Sequence, residues 1–338
     1  MKAAVYRGIG QIQVTDVPKP EPGVGEVLIR VAYCGICGSD LEAFHLGMYE
    51  PGLVIGHEFS GAIAEIGPGV TGWQVGERVT VNDAIPCGEC LPCREGRLDA
   101  CQSLTMIGVT HDGAMAEYAR ITSRGLHRLP AGVTLRQGAL VEPLAVALHG
   151  VRRSRLKAGE RALVMGAGPI GLLTMQCARL AGARMVAVTE VDPTRAALAD
   201  RLGATTVLHP THDNVGVALA DVTDGLGPDV IYICTGAPGP FRDGVSLVRK
   251  GGQIFVLGVC PEPVDMDFMS VAMGDLCIEG SLAGREAFPA AIDLLAQQRV
   301  QVEALVSHEI ALDEIVSKGF NVLDTPGSGA TKILVRMA

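Results

Sequence analysis

From about residue 158 onward, compact apolar runs alternate with longer stretches whose apolar positions recur every three to four residues. The run 161–165 reads as a buried strand. Residues 170–181 read as a helix ending at Gly182, 185–189 as a strand, and 194–202 as a helix stopped by Gly203. Runs at 230–234, 239–248 and 253–258 continue the beat, which predicts a parallel, doubly wound sheet with helices on its faces. The first 145 or so residues have a different texture: short alternating or apolar runs (26–32, 61–66, 78–81, 116–121) are set between Gly/Pro turns. That pattern predicts a β-rich region. After about residue 285 the spacing predicts a helix over 287–298, then short strands finishing at 332–335.

Composition changes this picture only at the edges. The length of 338 residues suits two domains, and 48% hydrophobic residues supply a large core. With aromatics at 4%, Ala, Val, Leu and Gly must do most of the packing. A net charge of −9 without any Lys/Arg run argues against general nucleic-acid binding. No apolar run reaches the ~18–20 residues of a membrane helix. The N-terminal run alternates like a strand and lacks an apolar export core, so a soluble cytoplasmic protein is expected.

Three clusters carry chemistry. Gly166-Ala167-Gly168-Pro169-Ile170-Gly171 follows a predicted strand and opens a predicted helix, as a dinucleotide pyrophosphate site requires. The next strand ends in Glu190, 22 residues beyond Gly168, where a carboxylate can bind a ribose 2′-hydroxyl and repel a 2′-phosphate. That favours NAD; Arg195 nearby keeps NADP open. Cys87-x2-Cys90-x2-Cys93-x7-Cys101 can close a tetrahedral thiolate shell around one structural Zn²⁺. Disulfides and free thiols are the alternatives. Export-free context opposes the first and the spacing the second. The third cluster is dispersed: Cys37 with Ser39, His57 with Glu58, and Glu142. A Cys, a His and a Glu can hold Zn²⁺ and leave a position for water or substrate.

Taken in order, Cys37-Gly-x-Asp40, Gly56-His57-Glu58-Phe59-x-Gly61, the four-Cys segment, Glu142-Pro143-Leu144-Ala145-Val146-Ala147-x-His149 and Gly166-Ala-Gly168-Pro-Ile-Gly171 resemble the zinc-containing medium-chain dehydrogenase/reductase family. The resemblance runs the length of the chain and is greatest to the polyol branch of sorbitol, butanediol and threonine dehydrogenases. It implies an α/β protein: a chaperonin-10-like β-rich catalytic domain (1–148 and 286–338) holding both zinc sites, and a Rossmann domain (149–285). It implies an oxidoreductase acting on CH–OH donors with NAD, two zincs per chain, a small-molecule alcohol or ketone substrate, and a homodimer or homotetramer. It makes Cys37 and His57 zinc ligands, and Glu58 and Glu142 carboxylates that meet the metal directly, through water or in alternation. It makes Ser39 the first hydroxyl of a proton relay. Cys234, Leu257 and Val259 fall in segments beside the nicotinamide. Glu142 stands where classical alcohol dehydrogenases carry Cys, which points to a secondary or polyhydroxy alcohol. One position departs from the branch: Glu42 stands where many members have a His five residues after the zinc Cys, and the nearest histidine is His45. A C=C reductase of the same fold commonly lacks the two cysteine-bearing sites. A non-enzymatic NAD- and zinc-binding redox sensor predicts a degraded catalytic set. Both fit this residue set less well.

Overall fold

A computed structural model describes residues 1–337. Contacts divide the chain into two compact units, Met1–Ala145 with Arg285–Ala338, and Val146–Gly284.

The first unit is built on a seven-stranded sheet. Its order is Val306–Ala311, Lys332–Arg336, Glu26–Gly35, Glu58–Ile66, Arg78–Val81 and Leu126–Arg128, with Tyr118–Thr122 pairing the front half of Glu26–Gly35. The long strand Glu26–Gly35 is the hub. Its end pairs on one side with Glu58 (Gly35↔Glu58) and on the other with the C-terminal strand (Gly35↔Leu334). Register thus draws residues nearly three hundred positions apart to one end of the sheet. Val27, Ile29, Val31, Phe59, Ile63, Ile121, Ile333 and Val335 are buried in this unit's core. Alternation along the strands puts such residues on a common face.

The second unit is a six-stranded, all-parallel sheet in the order Thr206–Leu208, Met185–Thr189, Arg161–Met165, Val230–Ile233, Gln253–Val256, Cys277–Gly280. Numbered along the chain this is 3-2-1-4-5-6, the Rossmann order, with its switch point between Arg161–Met165 and Val230–Ile233. The central strands are buried on both faces, hence their unbroken apolar runs.

Several elements carried no readable signal. Thr206–Leu208 is too short to show a period, and Cys277–Gly280 is an edge strand of mixed character. Gly38–Leu46 is helical inside the region read as β-rich. Its apolar positions form no stripe, and the Asp40 carboxylate accepting from the Cys37 N–H (3.0 Å) tethers its start. The helix Val141–Arg153 was likewise not foreseen. No described helix is long and apolar enough to cross a membrane.

Candidate active site and metal centres

The four cysteines of 87–101 converge. Their sulfurs lie within 4.8 Å of one another, with Cys87–Cys93 at 4.0 Å and Cys90–Cys101 at 3.9 Å. A disulfide needs about 2.05 Å. Four thiolates at about 2.3 Å from a tetrahedral zinc stand about 3.8 Å apart, so the spacing fits the metal. Backbone N–H groups do part of the work: those of Glu89 and Cys90 point at Cys87 Sγ, and that of Cys87 at Cys101 Sγ. Donors from the Gln102 and Cys93 backbone pull the Cys90 thiol down to about 6, towards the thiolate that zinc requires. Only short helical turns, Leu91–Arg94 and Leu98–Ala100, order this segment otherwise.

The second cluster is assembled from distant elements. Cys37 precedes the helix Gly38–Leu46, and His57 and Glu58 open the strand Glu58–Ile66. One ligand atom from each of these three lies within 4.8 Å of the other two. Glu142, in the first turn of Val141–Arg153, falls outside that tight grouping but is buried and acts electrostatically on it. Burial, and then repulsion from Asp83 and Glu58, raise the Glu142 carboxyl well above the usual range. Asp40 and Asp83 are also raised by burial. Burial pulls the His57 imidazole down, but its interactions with Cys37, Asp40 and Glu142 outweigh it, leaving the ring well above its ordinary value. A buried set of acids this dense calls for added positive charge, and a dication satisfies it.

Sequence reasoning missed four contributors. Asp40 links Cys37 and His57: one oxygen accepts from the Cys37 backbone and the other lies 3.9 Å from His57 Nδ1. Tyr49, buried, donates to Asp40 (3.2 Å) and touches the Ser39 hydroxyl. Asp83 is buried and interacts with His57 and Glu58. Lys332 places its ammonium 2.7 and 2.6 Å from the two oxygens of Glu58, and its third donor meets the Ile36 carbonyl at 3.0 Å. The Asp40 signal was available, as an acid three residues after a helix-opening residue. Lys332 gave none; it sits at the start of the apolar run Lys-Ile-Leu-Val.

Glu42 and His45 part company. One Glu42 oxygen is buried with no hydrogen-bond partner, and burial raises its carboxyl. His45 is exposed and bonded to Asp324 at 2.9 Å.

In the second unit, Gly166 has φ +101°, and a Cβ on Gly171 would run into the Gly166 carbonyl, so both need to be glycine. Around Gly168 a Cβ would meet nothing within 4 Å, which leaves a cradle at the N-terminus of the twelve-residue helix Pro169–Leu180. Pro169 and Ile170 form its first turn, whose N–H groups lack partners within the helix. Glu190 is buried; it accepts from the N–H of Ala167 (2.7 Å), Val191 and Asp192 (2.9 Å each) and from Arg195 (3.1 Å). Cys234 turns its thiol onto Thr174 (3.8 Å), while its N–H donates to the Met165 carbonyl (2.9 Å) across the switch point. Leu257 packs at the position a Cβ on Gly150 would take, and Val259 is exposed.

Comparison with known proteins agrees with these features. The alcohol dehydrogenase GroES-like domain matches residues 23–131, and the zinc-binding dehydrogenase domain matches 169–297. A sorbitol dehydrogenase from Halalkalibacterium halodurans is 35% identical over 93% of this chain and 94% of its own length. A 2-dehydro-3-deoxy-L-galactonate 5-dehydrogenase from Pseudoalteromonas atlantica is 36% identical over 96% of each. Among solved structures, a zinc-binding dehydrogenase from Sinorhizobium meliloti 1021 bound to NADP superposes with a TM-score of 0.93 at 35% identity, covering 99% of this chain and 98% of that one. The 2R,3R-butanediol dehydrogenase of Bacillus subtilis gives 0.91 at 32% identity, covering 99% of each.

Proposed function

Because the chain belongs to the zinc-containing medium-chain dehydrogenase/reductase family, on its polyol branch, we propose that it oxidises a secondary or polyhydroxy alcohol with NAD as hydride acceptor. The class includes polyols, diols, cyclitols and hydroxy amino acids. The observation that carries this reading is the buried grouping of Cys37, His57 and Glu58 with Glu142 beside it. Cys37, His57 and a carboxylate from Glu142 or Glu58 would hold a catalytic zinc, and Cys87, Cys90, Cys93 and Cys101 a structural one. When bound, the catalytic ion supplies Lewis acidity towards a hydroxyl or carbonyl oxygen. The dinucleotide supplies the two-electron acceptor.

The chain's own groups bind, orient and move a proton. Asp40 fixes the Cys37 backbone by accepting its N–H, and its other oxygen, 3.9 Å from His57 Nδ1, places a negative charge beside the imidazole. Ser39 takes the proton of the substrate hydroxyl and gives up its own. Glu42, three residues along the same helix and so on the same face, is a second acceptor for that proton. Tyr49 stays a phenol, since burial and the Asp40 charge hold it well above its ordinary value; it therefore serves as a fixed donor. In the second unit, Gly166, Gly168, Pro169, Ile170 and Gly171 would receive the pyrophosphate, and Glu190 the adenosine ribose. Cys234, Leu257 and Val259 lie in the segments assigned to the nicotinamide half. The Arg195 pairing with Glu190 supports NADP as a second cofactor, and the Sinorhizobium relative holds NADP.

We further infer a cytoplasmic homodimer or homotetramer. Exposed Phe268, Met269 and Met273, preceding the edge strand Cys277–Gly280, support association between copies. The test is a rate screen of NAD and NADP reduction against polyols, diols, cyclitols and threonine, alongside metal analysis. Turnover of one such alcohol with two zincs per chain is the expected result. A protein with one zinc and no turnover on any class would overturn the proposal.

A further inference from the structure

We infer that Lys332 is a positioning residue that holds the Glu58 carboxylate away from the catalytic metal and so keeps a metal position open for substrate. This rests on the assignment of a catalytic zinc to the Cys37/His57 cluster. The ammonium and the carboxylate are both almost fully enclosed, at 3% and 1% side-chain exposure. A lysine has three donors. All three are used, on the two oxygens of Glu58 and the Ile36 carbonyl. Lys332 therefore has nothing left to offer a substrate, and any effect it has on chemistry passes through Glu58.

The sheet builds the pair deliberately. Gly35 lies between the two strands, paired with Glu58 on one side and with the C-terminal strand on the other. A Cβ on Gly35 would collide with a Glu58 carboxylate oxygen, so the bare glycine is the channel through which Glu58 reaches across to Lys332. Stability does not explain the arrangement, because a buried ion pair is often no better than well-packed apolar residues. Its location does. One Glu58 oxygen also belongs to the ligand grouping with Cys37 and His57. One carboxylate is thus shared between two cations, and the stronger the hold of Lys332, the weaker that of Glu58 on the metal.

The test uses the full-length, zinc-loaded protein and follows zinc loss to a chelator, with the visible spectrum of the cobalt-substituted protein as a second readout. Lys332→Met should lose the more labile zinc about tenfold more slowly than the parent, the scale typical of groups that hold metal ligands in place. Its cobalt bands should shift as Glu58 joins the metal. Lys332→Arg, which can still grip both oxygens, should stay close to the parent. In Lys332→Met with Glu58→Gln the release rate should return to that of Glu58→Gln alone. Lys332→Gln provides the same comparison, at smaller size, should the methionine variant not fold. Unchanged release and cobalt bands in Lys332→Met, or an effect that persists without Glu58, would overturn the inference. A parent protein with a single zinc per chain would instead overturn the catalytic-zinc assignment on which it rests.

Discussion

The two cysteine-bearing clusters of the first unit are built in opposite ways. The 87–101 cluster draws every ligand from one short segment, tied by backbone N–H groups and two short helical turns. The cluster of Cys37, His57 and Glu58, with Glu142 beside it, draws on a helix start, a strand start and a second helix, and its charge balance depends on a strand near the end of the chain. The first cluster shapes its own surroundings; the second is shaped by the whole unit. Four like ligands suit a closed site that holds a lobe together. A mixed set of thiol, imidazole and competing carboxylates suits a site whose metal must keep exchanging one partner.

This contrast breaks most directly at Cys37. Cys37→Ala should lower kcat by about 10³-fold or more, the scale of several kcal/mol of lost oxygen polarisation. Zinc should fall from two per chain to one, with the unfolding midpoint nearly unmoved. A variant that keeps both zincs would erase the distinction between the clusters. Cys93→Ser should do the reverse: zinc also falls to one, the midpoint drops by about 10 °C, and the remaining folded protein keeps most of its turnover. Calorimetry with metal analysis checks it. Ser39→Ala should then cost about 10²-fold in kcat with zinc content unchanged, which separates proton movement from metal holding. Glu42→Gln should have a smaller effect, confined to the pH–rate profile, since burial already raises that carboxyl. An unchanged profile removes Glu42 from the relay. Smallest is Glu190→Ala, expected to shift the NAD/NADP preference by about tenfold towards NADP, as read from the ratio of kcat/KM values.

The same contrast explains what could be read from the chain. The four-cysteine spacing and the Gly166–Gly171 turn are local, so the chemistry and the sequence interval coincide. The central strands of the parallel sheet were equally plain, because burial on both faces leaves an unbroken apolar run. The residue types of the open cluster were legible as metal ligands, but their convergence only through resemblance, since nothing in the intervals between residues 37, 57 and 142 encodes their meeting. Register encodes it, through pairings such as Gly35 with Glu58 and Leu334. Lys332 was invisible for the same reason. A lysine opening an apolar strand reads as a solvated end until the pairing places it over a carboxylate. The helix Gly38–Leu46 escaped because hydrogen bonding at its start, rather than an apolar stripe, defines it.

The pairing of Glu58 with Lys332 also has a time attached to it. The two are separated by 274 residues, whereas Cys87 and Cys101 are separated by 14. At about 5–20 residues per second of synthesis, the cysteine segment is complete roughly one to three seconds after its first ligand is made. Glu58 waits about 15–55 seconds for its counter-charge at the same rate. A nascent chain therefore has all four cysteines of the 87–101 segment in hand long before Glu58 can meet its counter-charge, an interval set by the distance between their codons.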